Sequence, residues 1–428
     1  MPDDGPPTPP TQATSGVCHL FFAYDVAQAI DLKKAEEILS RQSGMDQGHE
    51  EIRVTRRAPA ALGYQARPVK ISFPCAGVRV AGLETLARCE VLVFDFGALS
   101  VSLRIPLACD LDRLVELGHA LYDNPELLDH ARVIVERTVA MLSGGAFPAG
   151  ASARSSAPAL PGAALSAGAL SRYSLDHAVE DYVVYQLTGP MLGLRPPSAP
   201  GDAGVAPPTA RELVRRHAQL VAKMLRAERG PMSDEETDEA LAMQASYAPS
   251  DVVVVDWNAA VIADTSAAPE DGEDVLAVLE YANVELLEMR ALDDRLDRAV
   301  DEAYAAVVRS PEGEPALAGL LGGFAGLGGA RLRAVARLAM DSAVLFEGVN
   351  NAIKLVGDQY LARVYRLAAR RFHLAERDEA ILRKLQTLEN MYDKMSSQAA
   401  ARRLEILEWI VIALIALSLV LPYFTSMH

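Results

Sequence analysis

Three aspartates are the residues of this 428-residue chain whose positions could support catalysis. Asp95 begins the triplet DFG, and Asp251 and Asp256 enclose the strand-like segment DVVVVDWN. A carboxylate at the end of a strand can bind a metal ion or transfer protons. However, Asp251 and Asp256 have no histidine or lysine nearby in the sequence, and the glycine-rich loop and lysine strand of protein kinases do not accompany DFG. Capping and turn formation are therefore favoured for all three, with a catalytic role as the alternative.

Metal and nucleotide chemistry have weaker signals. The histidines are scattered without an HExxH pair, and the segment GLLGGFAGLGG lacks the lysine and serine or threonine of a phosphate-binding loop. The cysteines have no CxxC spacing and fit small buried thiols in a reducing compartment; they are Cys18, Cys75, Cys89 and Cys109. The sequence therefore predicts no metal site, no cofactor and no set of catalytic residues.

A group of arginines offers a binding surface instead. Arg363, Arg366 and Arg370 lie on one face of a predicted helix, and Arg371 follows them. Residues 331–403 contain fourteen Lys and Arg against eight Asp and Glu, whereas the whole chain has a net charge of −16. We expect this face to contact anionic lipid or ribosomal RNA, with a solvated face as the alternative. The acidic remainder disfavours direct nucleic-acid binding by the head.

The elements that would position these residues form an α+β head in the first 265 residues. Residues 1–16 are acidic and proline-rich, which predicts a disordered terminus. Residues 17–143 alternate strand and helix patterns, and residues 172–265 continue the same head. The intervening residues 144–171 consist largely of Ala, Gly, Ser and Pro, which indicates a flexible insertion.

Long helices follow the head and form a predicted stalk over residues 272–404. Apolar residues recur at alternating spacings of four and three, which is typical of a coiled coil. One seam contains Val275, Leu279, Ala282, Leu286, Met289, Asp293, Leu296 and Val300, and another contains Ile381, Leu385, Leu388, Tyr392, Met395 and Ala399. A single helix would expose such seams, so we expect the stalk to form a homo-oligomer.

Residues 405–424 predict a C-terminal transmembrane helix that anchors the chain by its tail. No charged residue occurs from Trp409 to Phe424, and aromatic residues stand at both ends of this run. The expected anchor residues are Trp409, Ile410, Ile412, Leu414, Tyr423 and Phe424. Arg402 and Arg403 precede the run, which predicts a single-pass protein of the inner membrane with a cytoplasmic N-terminus.

Several stretches also resemble the "required for meiotic nuclear division" family, which carries a domain of unknown function. The resemblance covers roughly Val91 to Leu421, although Leu417-Ser418 replaces an acidic residue common in that family. It implies a bacterial membrane protein that supports translation near the membrane, without catalytic residues to carry over. The stretches are EVLVFDFGALSV, YANVELLEMRALDDRLDRA, LENMYDKMSS and RRLEILEWIVIALIALSLV.

Two functions from different classes remain open. The first is a tail-anchored scaffold or tether that oligomerises through its stalk and holds the ribosome or another cytoplasmic protein near membrane lipid. The second is a small-ligand-binding or enzymatic head that uses Asp95, Asp251 or Asp256. The lack of a recognisable catalytic set favours the scaffold.

Overall fold

The computed structural model describes most of the chain, in two compact units. One unit comprises residues 1–288 and 348–375, and the other comprises residues 289–347 and 376–428. The described residues are 16–45, 53–55, 62–64, 66–143, 169–171, 178–192, 208–266, 272–308, 340, 353–355 and 358–425. Residues 1–15 of the predicted disordered terminus, most of the predicted insertion and the glycine-rich segment near residue 320 lie outside these residues, whereas Gly16 is part of a strand.

Strands and helices alternate along the first unit, as the sequence patterns predict. The strands are β1 (Gly16–Asp25), β2 (Ala29–Ile30), β3 (Arg53–Thr55), β4 (Leu62–Tyr64), β5 (Val69–Pro74), β6 (Arg79–Val80), β7 (Leu83–Glu84), β8 (Arg88–Val93), β9 (Ala98–Leu107), β10 (Leu170–Ser171), β11 (Val179–Thr188), β12 (Gln244–Ala245), β13 (Asp251–Val255), β14 (Ala259–Asp264) and β15 (Ile353–Leu355). The helices are α1 (Leu32–Met45), α2 (Leu111–Leu121), α3 (Pro125–Leu142), α4 (Ala210–Arg216), α5 (Ala218–Arg226), α6 (Asp234–Ala240), α7 (Gly272–Val308), α8 (Gln359–Arg371) and α9 (Leu374–Thr425), with a 3-10 turn at Gly189–Leu192. Helices α7 and α9 continue into the second unit.

A nine-stranded sheet forms the centre of the first unit. Its strand order is β12-β13-β14-β11-β1-β9-β8-β5-β3. Neighbouring strands are antiparallel except β11 and β14, which are parallel. Strands before and after the predicted insertion thus belong to one sheet. The fold is a mixed α/β fold with a large sheet.

Helices cover both faces of this sheet because its strands are apolar on both sides. In β13, Val252 and Val254 join one buried core, whereas Val253 and Val255 join the other. The alternation follows from the period of two in a strand. The first core includes side chains of α1 to α5, and the second includes side chains of α7 and α8. Continuous valine runs are typical of strands buried on both faces.

Local signals set several element ends. The Asp31 carboxylate accepts hydrogen bonds from the backbone N–H groups of Lys33 and Lys34, which caps α1. DFG forms the turn between β8 and β9, as its favoured interpretation predicts. Its Gly97 has φ of +108°, and a Cβ there would lie 1.7 Å from the carbonyl oxygen of Ala27. The turn therefore requires glycine.

The second unit contains the later part of α7 and most of α9. Asp293, the residue that interrupts the predicted seam, forms an ion pair with Lys384 at 2.6 Å. Asp297 forms another ion pair with the same lysine at 2.7 Å. The seam residues Leu296, Ile381 and Leu388 are fully buried. These seam positions are already covered within one chain, so they offer no surface to a second copy.

The prediction of a transmembrane helix is wrong. Helix α9 includes the predicted segment, but in the part of the chain that the structure describes no helix is both long enough and apolar enough to cross a bilayer. The uncharged run Trp409–Phe424 spans roughly 24 Å, short of an apolar core of about 30 Å. Extending it towards the N-terminus adds the charges of Glu408 and Glu405. The predicted tail anchor and the predicted single-pass location in the inner membrane are therefore wrong as well.

Candidate functional site

The structure brings Asp251 and Asp256 together with the arginine helix. Strand β13 begins at Asp251 and ends just before Asp256. Helix α8 packs against β13 through Leu361 and Val364, which belong to the same core as Val253. The two aspartates therefore lie at opposite ends of β13, and α8 reaches both of them.

Asp251 stabilises a turn. Its carboxylate accepts hydrogen bonds from the backbone N–H of Tyr247 at 3.1 Å and from the backbone N–H of Ala248. The hydroxyl of Tyr360 on α8 donates to the same carboxylate at 3.0 Å. Burial, together with the charge of Asp251, raises the pKa of Tyr360. The phenol therefore stays protonated and tethers α8 to β13.

Asp256 is fully buried between two guanidinium groups. The Nε of Arg226 lies 3.0 Å from Oδ2, and the Nε of Arg371 donates to Oδ1 at 2.5 Å. The backbone N–H of Trp257 also donates to Oδ1, at 2.9 Å. Both carboxylate oxygens are thus engaged by charged or backbone donors. This saturation fits a structural anchor better than acid–base catalysis.

Two further carboxylates complete an ionic group that we name the Asp256 cluster: Asp256, Arg226, Arg371, Glu236 and Glu239. Glu236 pairs with Arg226, and Glu239 pairs with Arg371 at 2.6 Å. Although burial lowers it, the hydrogen bond to Glu239 and the charge of Asp256 raise the pKa of Arg371 overall. The arginines come from α5 and α8, which cover opposite faces of the sheet. The cluster therefore ties both helices to one strand end.

The arginine face is smaller than the sequence indicates. Arg371 points into the Asp256 cluster, with only 12% of its side chain exposed. Arg363, Arg366 and Arg370 are exposed on another face of α8. Arg363 donates to the carbonyl oxygen of Ser246 at 3.3 Å and lies 5.8 Å from the Tyr360 ring centroid. Contact with lipid or ribosomal RNA stays a prediction for the three exposed arginines.

Asp95 and the cysteines lie apart from this region. Asp95 is in the DFG turn, where burial raises the pKa of its carboxyl group. Burial likewise raises the pKa of the Cys18 thiol. The described residues contain no group of three or more His, Cys, Asp or Glu placed to hold a metal ion.

Helix α9 carries an exposed apolar surface in the segment that the sequence predicted to cross a membrane. Leu404, Leu407, Val411 and Leu414 recur at spacings of three and four, and each is more than half exposed. We name these four residues the α9 stripe. The predicted anchor residues Trp409, Ile410 and Ile412 are exposed as well. The predicted anchor residues Tyr423 and Phe424 belong to α9, but their side chains lie outside the described set. The signal for the stripe was the apolar run itself.

Buried acids on α7 were also missed. Glu280, Glu285 and Glu288 are buried among apolar residues of the first unit. The hydroxyl of Tyr365 on α8 donates to Glu285 at 2.7 Å, and Ser100 on β9 donates to Glu280 at 2.7 Å. Their signal was present in LEYANVELLEM, where three glutamates and Asn283 interrupt a run of apolar and aromatic residues.

Comparison with known proteins identifies the family of the first unit, which we also call the sheet unit. The family described as "Uncharacterized protein MJ0711, N-terminal domain" matches residues 15–146 and 164–270, more than half of the chain. The chain belongs to this family. Its match covers β1 to β14 and α1 to α6 and breaks only within the predicted insertion.

One curated relative illustrates how distant the similarity is. The uncharacterized protein MJ0711 of Methanocaldococcus jannaschii is 22% identical over 212 residues, which cover 49% of this chain and 60% of that protein. The chain thus spans about three fifths of the length of this relative. No solved structure matches the chain.

The resemblance to the "required for meiotic nuclear division" family is therefore wrong. The matching family is a different one, and its match ends at residue 270, before α7 and α9. Much of the resemblance rested on short stretches of α7 and α9, and the periodic apolar pattern of a helix recurs in unrelated chains. The bacterial membrane role that this resemblance implied therefore has no support.

Proposed function

We propose that the protein is an assembly scaffold in which the α9 stripe joins copies of the chain. The observation that carries the proposal is the contrast between the two units. The apolar strands of the first unit are covered on both faces, whereas the α9 stripe is left exposed. A contiguous exposed apolar surface of this kind marks an interaction site.

The size of the surface supports a protein partner. Eight large apolar residues between Leu404 and Ile415 are each 39% to 64% exposed. Together they present on the order of 700 Å² of surface, close to the roughly 800 Å² that each partner buries in a standard interface. The surface is therefore large enough to support a stable complex if it is covered completely.

The spacing of the stripe supports a second copy as the occupant. Residues three and four apart form the seam of a coiled coil, and a seam is self-complementary when identical helices pair. Trp409, Ile410 and Ile412 extend the apolar surface beyond the seam. Additional apolar faces of this kind suit a helix that contacts neighbours on more than one side.

Sedimentation velocity of the full chain, without detergent, tests this proposal. We expect the mass to rise with protein concentration. Leu407→Asp and Leu414→Asp place charges in the proposed interface, where burying an unpaired charge is costly. Each variant should shift the association midpoint at least about tenfold towards higher concentration, equivalent to about 1.4 kcal/mol.

Leu382→Asp is the matched control because Leu382 is an exposed leucine of the same helix outside the stripe. It should associate like the unchanged protein. A chain that stays monomeric at every concentration overturns the proposal. Binding to lipid vesicles by a monomer would assign the stripe to a different occupant and would also overturn it.

A further inference from the structure

A pocket in the first unit is separate from the α9 stripe and from the Asp256 cluster. Its volume is about 350 Å³ including its open side. Strand β11 forms its floor through Asp181, Val183 and Tyr185, which point to the same side of the sheet. The ends of α2 and α5 and the turn between β13 and β14 form its walls, with Tyr122, Ala227 and Asn258 among the lining residues.

Tyr185 provides a buried polar group in this pocket. The residue is only 1% exposed, and its hydroxyl makes no hydrogen bond to any described residue. A Cβ on Gly118 would lie 3.0 Å from that hydroxyl, so glycine gives the phenol its space. Burial raises the pKa of Tyr185 well above its usual value, which keeps the group neutral. A buried phenol without a partner leaves a donor and an acceptor for a ligand.

Negative charge concentrates at the opposite end of the floor. Asp181 is exposed and forms no ion pair with a described residue. Partial burial of its carboxyl group raises the pKa of Asp181, and the nearby carboxylates of Glu180 and Asp123 raise it further. The walls add negative partial charge, because α2 and α5 both end at the pocket and helix C-termini carry exposed carbonyl groups.

Two arginines of the first unit already have acidic partners. Arg229, which follows α5, lies 2.8 Å from Glu116, and Arg132 lies 3.3 Å from Glu136. Neither pair includes Asp181. The electrostatic character of the pocket therefore favours a cation supplied from outside the chain.

We infer that this pocket binds a short aliphatic amine cation, with its ammonium group at Asp181 and its far polar end towards Tyr185. Asp181 and Tyr185 lie four positions apart on the same face of β11, so a ligand that contacts both must be extended. The exposed ring of Tyr122 can add a cation–π contact. The site is independent of self-association, since its residues all lie in the first unit.

Isothermal titration of the full chain with 1,4-diaminobutane tests this inference. Two compounds of the same chain length control for charge: neutral 1,4-butanediol and anionic succinate. We expect the diamine alone to bind at neutral pH. Asp181→Asn should weaken diamine binding at least about tenfold, because it removes a charge-assisted hydrogen bond. Tyr185→Phe keeps the ring and should weaken binding about fivefold.

Asp112→Asn is the matched control because Asp112 is an exposed carboxylate of α2 away from the pocket lining. It should leave diamine binding unchanged. The inference is overturned if butanediol or succinate binds as tightly as the diamine, or if Asp181→Asn binds normally. It is also overturned if no diamine binding occurs up to about 10 mM, a concentration that detects very weak complexes.

Discussion

At the scale of single residues, two glutamates of α7 carry protons that ordinary carboxyl groups would lose. Burial raises the pKa of Glu280 to about 7, although the hydrogen bond from Ser100 lowers it. Burial raises the pKa of Glu288 to about 8, and neither of its carboxyl oxygens has a hydrogen-bond partner among the described residues. Both groups are therefore predominantly protonated in the folded protein at mildly acidic pH.

This protonation predicts that stability falls as pH rises from about 5 to about 8. The unfolded chain loses these protons near pH 4.5, whereas the folded chain keeps them to higher pH, so the unfolded state binds fewer protons in between. Each unit of pKa difference corresponds to about 1.4 kcal/mol. Glu288→Gln cannot ionise and should flatten the decline, which urea denaturation at pH 5, 7 and 9 measures.

Glu302→Gln, an exposed change in the same helix, should follow the unchanged protein across this pH series. If Glu288→Gln loses stability as steeply as the unchanged protein, Glu288 is ionised in the folded state and our account of its burial is incorrect.

At the scale of elements, the sequence indicates the end of a helix or strand where a capping or turn residue next to that end determines it. Asn124 accepts two backbone hydrogen bonds, and α3 begins at Pro125, which follows it. The segment ARELVRRHAQLVAKMLRAE has the pattern of one helix, but it divides at His217 into α4 and α5. Nothing in the apolar period of that segment marks the break.

The candidate site shows the same limit. The segment DVVVVDWNAAVIAD has the apolar character of one strand, but it forms β13, a turn at Asp256 and β14. The partner that holds this turn, Arg371, is 115 residues away in the sequence. Single-sequence patterns identify Asp256 as a turn residue, whereas its charge partners are set by the packing of distant elements.

The Asp256 cluster predicts how α8 depends on this strand end. Asp256→Ala leaves Arg226 and Arg371 without their shared buried carboxylate, and breaking a buried pair costs about 3–5 kcal/mol. We expect lower stability in urea and faster amide hydrogen exchange in α8 and the end of α5. Asp238→Asn, an exposed change in α6 outside the cluster, should have little effect. Unchanged exchange in α8 after Asp256→Ala would mean that its apolar contacts alone hold it.

At the scale of the whole molecule, the family match and the proposed assembly surface belong to different units. The match ends at residue 270, and the two cores of the sheet unit use no residue beyond Leu374. The α9 stripe lies in the second unit. Folding of the sheet unit and assembly through α9 should therefore be separable.

A chain ended after Arg403 tests this separation. It lacks the whole α9 stripe but keeps every residue of both sheet cores. We expect its main thermal transition to stay within about 2 °C of the unchanged protein, since a change of 1 kcal/mol shifts the melting temperature of a domain of this size by about that much or more. Its mass by sedimentation should be that of a monomer at every concentration. A chain ended after Thr425 keeps the stripe and should still associate. Association of the shorter chain would place the assembly surface elsewhere, and a large drop in its melting temperature would show that the sheet unit needs α9 to fold.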